Sequence, residues 1–329
     1  MLAGYFKRNK TQALLALPAV IAVLWVFPFL HPSGLKGEHL MPLYDMLVHA
    51  VGDKPYLQYT LAVLLLIGEC FLINHLAVEQ EILATPTYMP GLVYGIFMSC
   101  NSQLTTLHPV LCANLFILLA INRLFSTHRK ETAFSETFDA GFYVAIASLF
   151  YIPSFVFMLL VWISLVLIRP FVWREWIISL IGFVVPYLFV AMYFYWTDKF
   201  WFLWYDKIFY PITLSHIELD RPLTEYFLLG IMVFITLVSL TRVSRGVAIN
   251  TVRAKNNILA LLWMCGISLA SVFIAPQFNL KYFAFLSIPC SVFAANYFLS
   301  IKRSWFVEFL FTILLLAIVM GQLKDIGVL

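Results

Sequence analysis

WREWIISLIGFVVPYLFVAMYFYW, Trp173–Trp196, carries no charged residue after Glu175. As an α-helix rising 1.5 Å per residue it is about 36 Å long, enough to cross a hydrocarbon core of about 30 Å. It lacks the period-two alternation of barrel strands. Backbone amides in lipid must be satisfied within their own segment, so the stretch reads as a membrane-spanning helix. The same character extends through the chain in both directions. Of 329 residues, 62% are hydrophobic and 12% charged, half the charged fraction of about 25% in an average soluble domain. The chain is an all-α, polytopic membrane protein.

Eleven spans are predicted, at about 12–30, 57–77, 90–107, 109–126, 140–152, 153–169, 175–196, 225–242, 257–275, 281–301 and 305–322. Two boundaries rest on proline, which cannot donate its hydrogen bond and disturbs the preceding turn: Leu107-His108-Pro109 and Ile152-Pro153-Ser154. Segment 140–152 is too short to cross as a straight helix, so it is expected to start in the interface or pack inside the bundle. Charge chooses the orientation. With the N-terminus inside and the C-terminus outside, fourteen of the 21 lysines and arginines fall on inside loops, Arg123, Arg129, Arg169, Arg174, Arg253 and Lys302 among them. That asymmetry follows the positive-inside rule and accounts for the net charge of +4, leaving no argument for nucleic acid. The two longest polar-leaning stretches, 31–56 and 197–224, are too short to hold a core of their own, so 1–329 is read as a single integral membrane domain. Lys7, Arg8 and Lys10 precede the first apolar run, and no Ala-x-Ala site follows it, which favours an uncleaved first helix. The five cysteines sit in apolar runs with neither metal-site nor disulfide spacing. No metal-binding residue is assigned.

Candidate chemistry sits in three places. The first outer loop contains LYDMLVHA, Leu43–Ala50, with Leu43, Met46, Leu47 and Ala50 at helical spacing. This is the pattern of a helix lying on the membrane surface, presenting Glu38, Asp45 and His49 to water. A carboxylate in that position can act as a general base toward an acceptor or help to hold a divalent cation; ordinary solvated loop charges are the plain alternative. The second outer loop carries Lys207 and Arg221 among aromatics, groups able to bind a lipid phosphate. Within the membrane, Glu69 is the only charge in LAVLLLIGECFLINH, Leu61–His75, and His75 follows it. Asn101, Ser102, Gln103, His108 and Asn114 add polar groups. An acid at that depth faces the bundle interior or water, and the group reads either as interhelical packing or as a proton or solute path. No Gly-rich phosphate loop, HExxH or GxSxG is present.

The segment order resembles the multispanning C-type glycosyltransferases that use polyprenyl-phosphate sugars. The likeness runs over about residues 10–300: a first span, an outer loop with the helix around Asp45, close helix pairs at LHPVLCANLFILLAINRLF and ASLFYIPSFVFMLLVWISLVLIRP, and FNLKYFAFLSIPCSVFAANYF late in the chain. It implies a lipid-linked sugar as substrate, Asp45 or Glu38 as general base, Lys207, Arg221 or Lys281 against the lipid phosphate, and His49 in the substrate site. FDAGFYVAIASLFYIPSF with REWIISLIGFVVPYL is also similar to an uncharacterised bacterial family of multispanning inner-membrane proteins. The expected setting is therefore a bacterial cytoplasmic membrane, with membrane lipids and polyprenyl phosphate as partners. Two alternatives stay open: a non-catalytic subunit or scaffold bound to other envelope membrane proteins, and a transporter or lipid flippase built on Glu69 and His75.

Overall fold

A computed structural model describes residue 6, residues 10–30, 41–52, 54–83, 85–100, 104–128, 130–202, 230, 239, 251–274 and 280–300, and isolated positions between 308 and 322. Among them every regular element is helical. The helices are α1 (Lys10–Leu24), α2 (Val26–Leu30), α3 (Pro42–Val51), α4 (Pro55–Glu79), α5 (Met89–Met98), α6 (Pro109–Phe125), α7 (Phe134–Phe150), α8 (Phe157–Ile168), α9 (Trp173–Trp196), α10 (Val252–Ile274) and α11 (Ser287–Ser300). Four described stretches are long and apolar enough to cross a membrane: Pro55–Glu79, Trp173–Trp196, Val252–Val272 and Phe283–Ser300. The predicted span 225–242 lies outside the described residues except for 230 and 239, and 305–322 is described only at isolated positions.

Both proline boundaries interrupt a helix. His108 caps α6, its Nδ1 accepting from the Leu111 amide at 3.1 Å, and Pro109 occupies the first turn, where the missing amide costs nothing. Tyr151 is extended, and Ile152–Val156 forms a 3₁₀ turn before α8. Residues 140–150 of the predicted segment belong to a longer helix, α7, which begins at Phe134 because Ser135, Glu136 and Asp139 extend it into a polar end.

The close pairing expected between the segments flanking Pro109 is not formed. The short α5 packs on α4 and α11, whereas α6 packs on α4 and α7. Glycine explains the preference of α5. A Cβ on Gly91 would stand 2.3 Å from Asn74 Nδ2 and 2.5 Å from the Cys70 carbonyl oxygen, so only glycine lets α5 lie this close to α4.

Contacts define two ends of the bundle. At one end Tyr44 of α3 donates to the Leu107 carbonyl at 2.7 Å, and Trp25 Nε1 donates to Ser99 at 3.0 Å. At the other end Arg253 Nη2 donates to Gln80 at 2.6 Å, and Arg123 pairs with Asp139 at 3.3 Å. Lys130 also pairs there with Glu136. Burial raises the Glu136 carboxyl, but the hydrogen bond and charge of Lys130, helped by Arg123, outweigh it and hold the group below the usual carboxylate range.

The firmest polar contact at that end is buried. Arg169 Nη2 lies 3.0 Å from Glu175 Oε1, and both side chains are nearly inaccessible. Arg169 also donates to the carbonyls of Thr127 at 3.0 Å and Glu131 at 3.1 Å. Glu175 accepts from the Ala133 amide at 3.3 Å. One ion pair thus ties the end of α8, the start of α9 and the α6–α7 connection.

α9 touches the bundle along a narrow stripe. Its buried residues are Glu175, Ser179, Gly182 and Pro186, spaced by four, three and four positions, which keeps them on one helical face. The stripe lies against α7 at backbone range: a Cβ on Gly141 would be 2.0 Å from the Ser179 carbonyl oxygen, and one on Gly182 would be 2.3 Å from that of Phe138. Ser148 and Tyr187 share a hydrogen bond of 2.7 Å along the same seam. Trp162 and Trp176 stack beside it at 5.9 Å between centroids, so these two tryptophans serve packing as well as the membrane interface. The opposite face, Ile177, Leu180, Ile181, Val184, Leu188, Phe189 and Met192, is exposed, as lipid contact requires.

Two outcomes follow for the purified protein in detergent. Gly141→Ala or Gly182→Ala forces α7 and α9 apart and costs about 1–3 kcal/mol, whereas Gly266→Ala, with nothing within 4 Å of the added carbon, is neutral or slightly stabilising. Thermal unfolding ranks the three variants, and equal midpoints would refute the close-contact account. In the same assay Arg169→Ala costs about 3–5 kcal/mol because it strands a buried carboxylate, whereas Arg169→Met with Glu175→Leu costs less than the single change.

Candidate functional site

Two polar centres stand out among the described residues. The first is on α3. Proline at the first helical position and Gly52 at the C-cap, with φ +65°, delimit the helix, and the Gly52 carbonyl accepts from Gln58 at 2.9 Å. The turn therefore hands the chain straight into α4. Only a residue tolerant of left-handed backbone fits at 52. The face pressed against the protein is set by Tyr44 and takes in only part of the apolar spacing. Met41 and Tyr44 are buried and Leu47 is packed on the core, while Met46 and Ala50 are exposed. The reason is the Tyr44 hydroxyl: its bond to the Leu107 carbonyl, together with packing of α3 on α7, fixes the rotation of the helix. Burial, with the Cys112 thiol adding to it, pushes the Tyr44 phenol up, so it stays a donor.

This rotation leaves Asp45 partly exposed and His49 in solvent, with 3.6 Å between Asp45 Oδ1 and His49 Nε2. The two groups are one helical turn apart, the spacing at which side chains meet. A carboxylate beside an imidazole at the mouth of a membrane domain can accept a proton from a hydroxyl or amine. Of the other residues assigned to this chemistry, Glu38, Lys207 and Arg221 lie outside the described residues. Lys281 is in the 3₁₀ turn Leu280–Leu286 that leads into α11, and its side chain is outside the description.

The second centre is in the core. Glu69 is 0% exposed and sits near the middle of the 25-residue α4. Tyr94 of α5 donates to Glu69 Oε2 at 2.7 Å. That uses its one proton, so the Tyr94 oxygen accepts from Asn114 Nδ2 of α6 at 3.1 Å. Asn114 Nδ2 also faces the Ala284 carbonyl at 3.4 Å. Three helices thus meet on one phenol, and the 3₁₀ turn before α11 reaches the group through Asn114. Glu69 Oε1 and Asn114 Oδ1 are buried with no hydrogen-bond partner among the described residues. A turn away, Asn74 Oδ1 accepts from the Gly91 amide at 2.7 Å.

The other polar residues of the membrane segments do not join this centre. His75 is exposed and pairs with Glu79 at 2.8 Å on the surface of α4. His108 is spent on its helix cap, and 101–103 lie outside the described residues. Sequence reasoning missed Tyr94, whose place between Gly91 and Gly95 in MPGLVYGIFM signals close helix packing but not where its hydroxyl points. It also missed the pairing of Arg169 with Glu175.

The chain belongs to DUF6427, a family of unknown function, whose family model matches residues 39–327. No curated protein and no solved structure matches it.

Tyr94→Phe leaves both Glu69 oxygens and the Asn114 amide without the phenol. It is expected to lower stability by about 1–3 kcal/mol, read as a lower thermal midpoint in detergent. Tyr56→Phe, at the exposed start of α4 and away from this set, is the comparison; equal losses from the two variants would remove the special place given to Tyr94.

Proposed function

We propose that this member of the family is a multi-pass protein of a bacterial cytoplasmic membrane that transfers a sugar from a polyprenyl-phosphate carrier to an acceptor at the outer face. The observation that carries the reading is the placement of Asp45 and His49. They stand on a surface helix held against the end of the bundle opposite the basic one, 3.6 Å apart and open to solvent. The basic end holds Arg123, Lys130, Arg169 and Arg253, so the positive-inside rule assigns it to the cytoplasm and α3 to the outside. The resemblance of the segment order to C-type glycosyltransferases supplies the reaction class.

In this reading Asp45 takes the proton of the acceptor hydroxyl or amine as its oxygen or nitrogen attacks the anomeric carbon. The carbon–oxygen bond to the carrier breaks, and polyprenyl phosphate leaves with the bonding pair. Lys281, Lys207 or Arg221 offsets the charge on that phosphate. The long exposed face of α9 gives the chain direct contact with lipid, where a polyprenyl carrier resides.

The test uses the full chain in nanodiscs with a radiolabelled polyprenyl-phosphate sugar and host lipid or protein extract as acceptor. Label should pass to the acceptor, and Asp45→Asn should lower the rate by about 10²-fold or more, the scale of losing a general base. Transfer that is equal in wild type and Asp45→Asn, or no transfer with any of several sugars, would overturn the proposal.

A further inference from the structure

We infer that Glu69, Tyr94 and Asn114 form a membrane-buried site for one exchangeable monovalent cation, H⁺ or Na⁺, with the Glu69 carboxylate as the charge it neutralises. The inference does not rest on the transferase reading. Four observations carry it. Glu69 is wholly buried near the middle of a helix long enough to cross the membrane. It forms no ion pair among the described residues, whose five acid–base contacts are all elsewhere. Its carboxylate takes one side-chain hydrogen bond, from Tyr94, and the Leu115 backbone of α6 lies close to it. Two oxygens of the cluster, Glu69 Oε1 and Asn114 Oδ1, face the interior with no donor.

Bond counting narrows the meaning of those two oxygens. Tyr94 has one proton, and Glu69 takes it. Asn114 Nδ2 therefore has to point at the Tyr94 oxygen, and the amide cannot be turned round without setting acceptor against acceptor. The cluster is short of positive charge and of donors, and no arrangement of its own protons removes the shortage. A buried carboxylate in that condition is among the most costly groups a protein can hold in a membrane. A proton on Oε1 cancels the charge and adds a donor. A sodium ion cancels the charge and takes the open carboxylate oxygen as a ligand, a hard donor of the kind such ions bind. Either ion leaves the Tyr94 bond in place.

Nearby titratable groups are few. Tyr94 faces Glu69 from α5, Cys70 is its neighbour on α4, and Cys112 faces it from α6. The 3₁₀ turn contributes the Ala284 carbonyl, which does not titrate. No lysine, arginine or histidine among the described residues acts on Glu69.

The experiment is thermal unfolding of the full chain in detergent from pH 5 to pH 9, in sodium chloride and in choline chloride, for wild type and Glu69→Gln. Both proteins carry Cys70→Ala and Cys112→Ala. Glutamine keeps the shape and the Tyr94 bond and has no charge to neutralise. The site predicts that the wild-type midpoint falls by at least about 3 °C relative to Glu69→Gln as pH rises in choline chloride. If sodium chloride restores it, the ion is Na⁺; if not, it is H⁺. Labelling by dicyclohexylcarbodiimide, which adds to protonated carboxyls in apolar surroundings, should modify the Glu69 peptide less at pH 9 than at pH 5. Pairs of melting profiles that run parallel across pH and salt would overturn the proposal, whatever the labelling.

Discussion

The Tyr94 hydroxyl is the point on which the centre of this bundle depends. It is bonded to both α4 and α6, and α5 has only ten residues with which to bring it there. A helix that short spans about 15 Å and cannot cross a bilayer by itself, so α5 must be held by specific contacts. Gly91 and Gly95 give it close approach to α4 and α1, Asn74 binds its first turn, and Ser99 receives the Trp25 indole at its end. The acid on α4 has a side-chain donor only because those contacts put a phenol beside it. The burial of Glu69 and the shortness of α5 are one structural fact seen from two helices.

Lipid tails are as apolar as leucine, so helices in a membrane do not associate by excluding water; close packing and hydrogen bonds decide. The chain uses both, in different places. Along α7 and α9 it uses packing, with glycine against carbonyl oxygen at two levels and a Ser148–Tyr187 bond beyond. At the polar end it uses Arg169, whose three partners come from the start of α9 and the α6–α7 connection. Guanidinium suits that position because its fork serves a carboxylate and carbonyls at once. A lysine there would lose most of those bonds.

These mechanisms set what the sequence could show. Membrane class follows from composition, and the interruptions at Pro109 and Pro153 follow from a missing amide, a local property of the chain. The start of α7 at Phe134 is six residues earlier than hydropathy places it, because a helix continues past the apolar boundary as long as polar residues have partners, here Arg123 and Lys130. Spacing in LYDMLVHA marked α3 as amphipathic. It did not show which face meets the rest of the protein, since a bond from Tyr44 to residue 107, distant in sequence, fixes the rotation. Glu69 was legible as a lone charge among apolar residues. Its partner Tyr94 was not, because a tyrosine in an apolar run looks like any other aromatic until the fold shows where its hydroxyl points. The partners of helices α5 and α6 were equally invisible: choice of neighbour depends on where small residues meet across the bundle.

The two polar centres are mechanically joined, although they lie at different depths. α3 and α4 are one element interrupted at Gly52, and Gln58 of α4 clasps the Gly52 carbonyl. On the other side the Tyr44 hydroxyl holds the Leu107 carbonyl, next to the residue that caps α6, and α6 carries Asn114 inward. The chain therefore connects Asp45 to Glu69 along two short routes, through Gln58 and through Leu107, and each route is a hydrogen bond followed by a stretch of rigid helix. A change in charge at Glu69 that altered the Tyr94 bond would act on α6 and α4 together, and both of them anchor α3. Both routes begin at the Glu69–Tyr94–Asn114 cluster and end at the helix that carries Asp45.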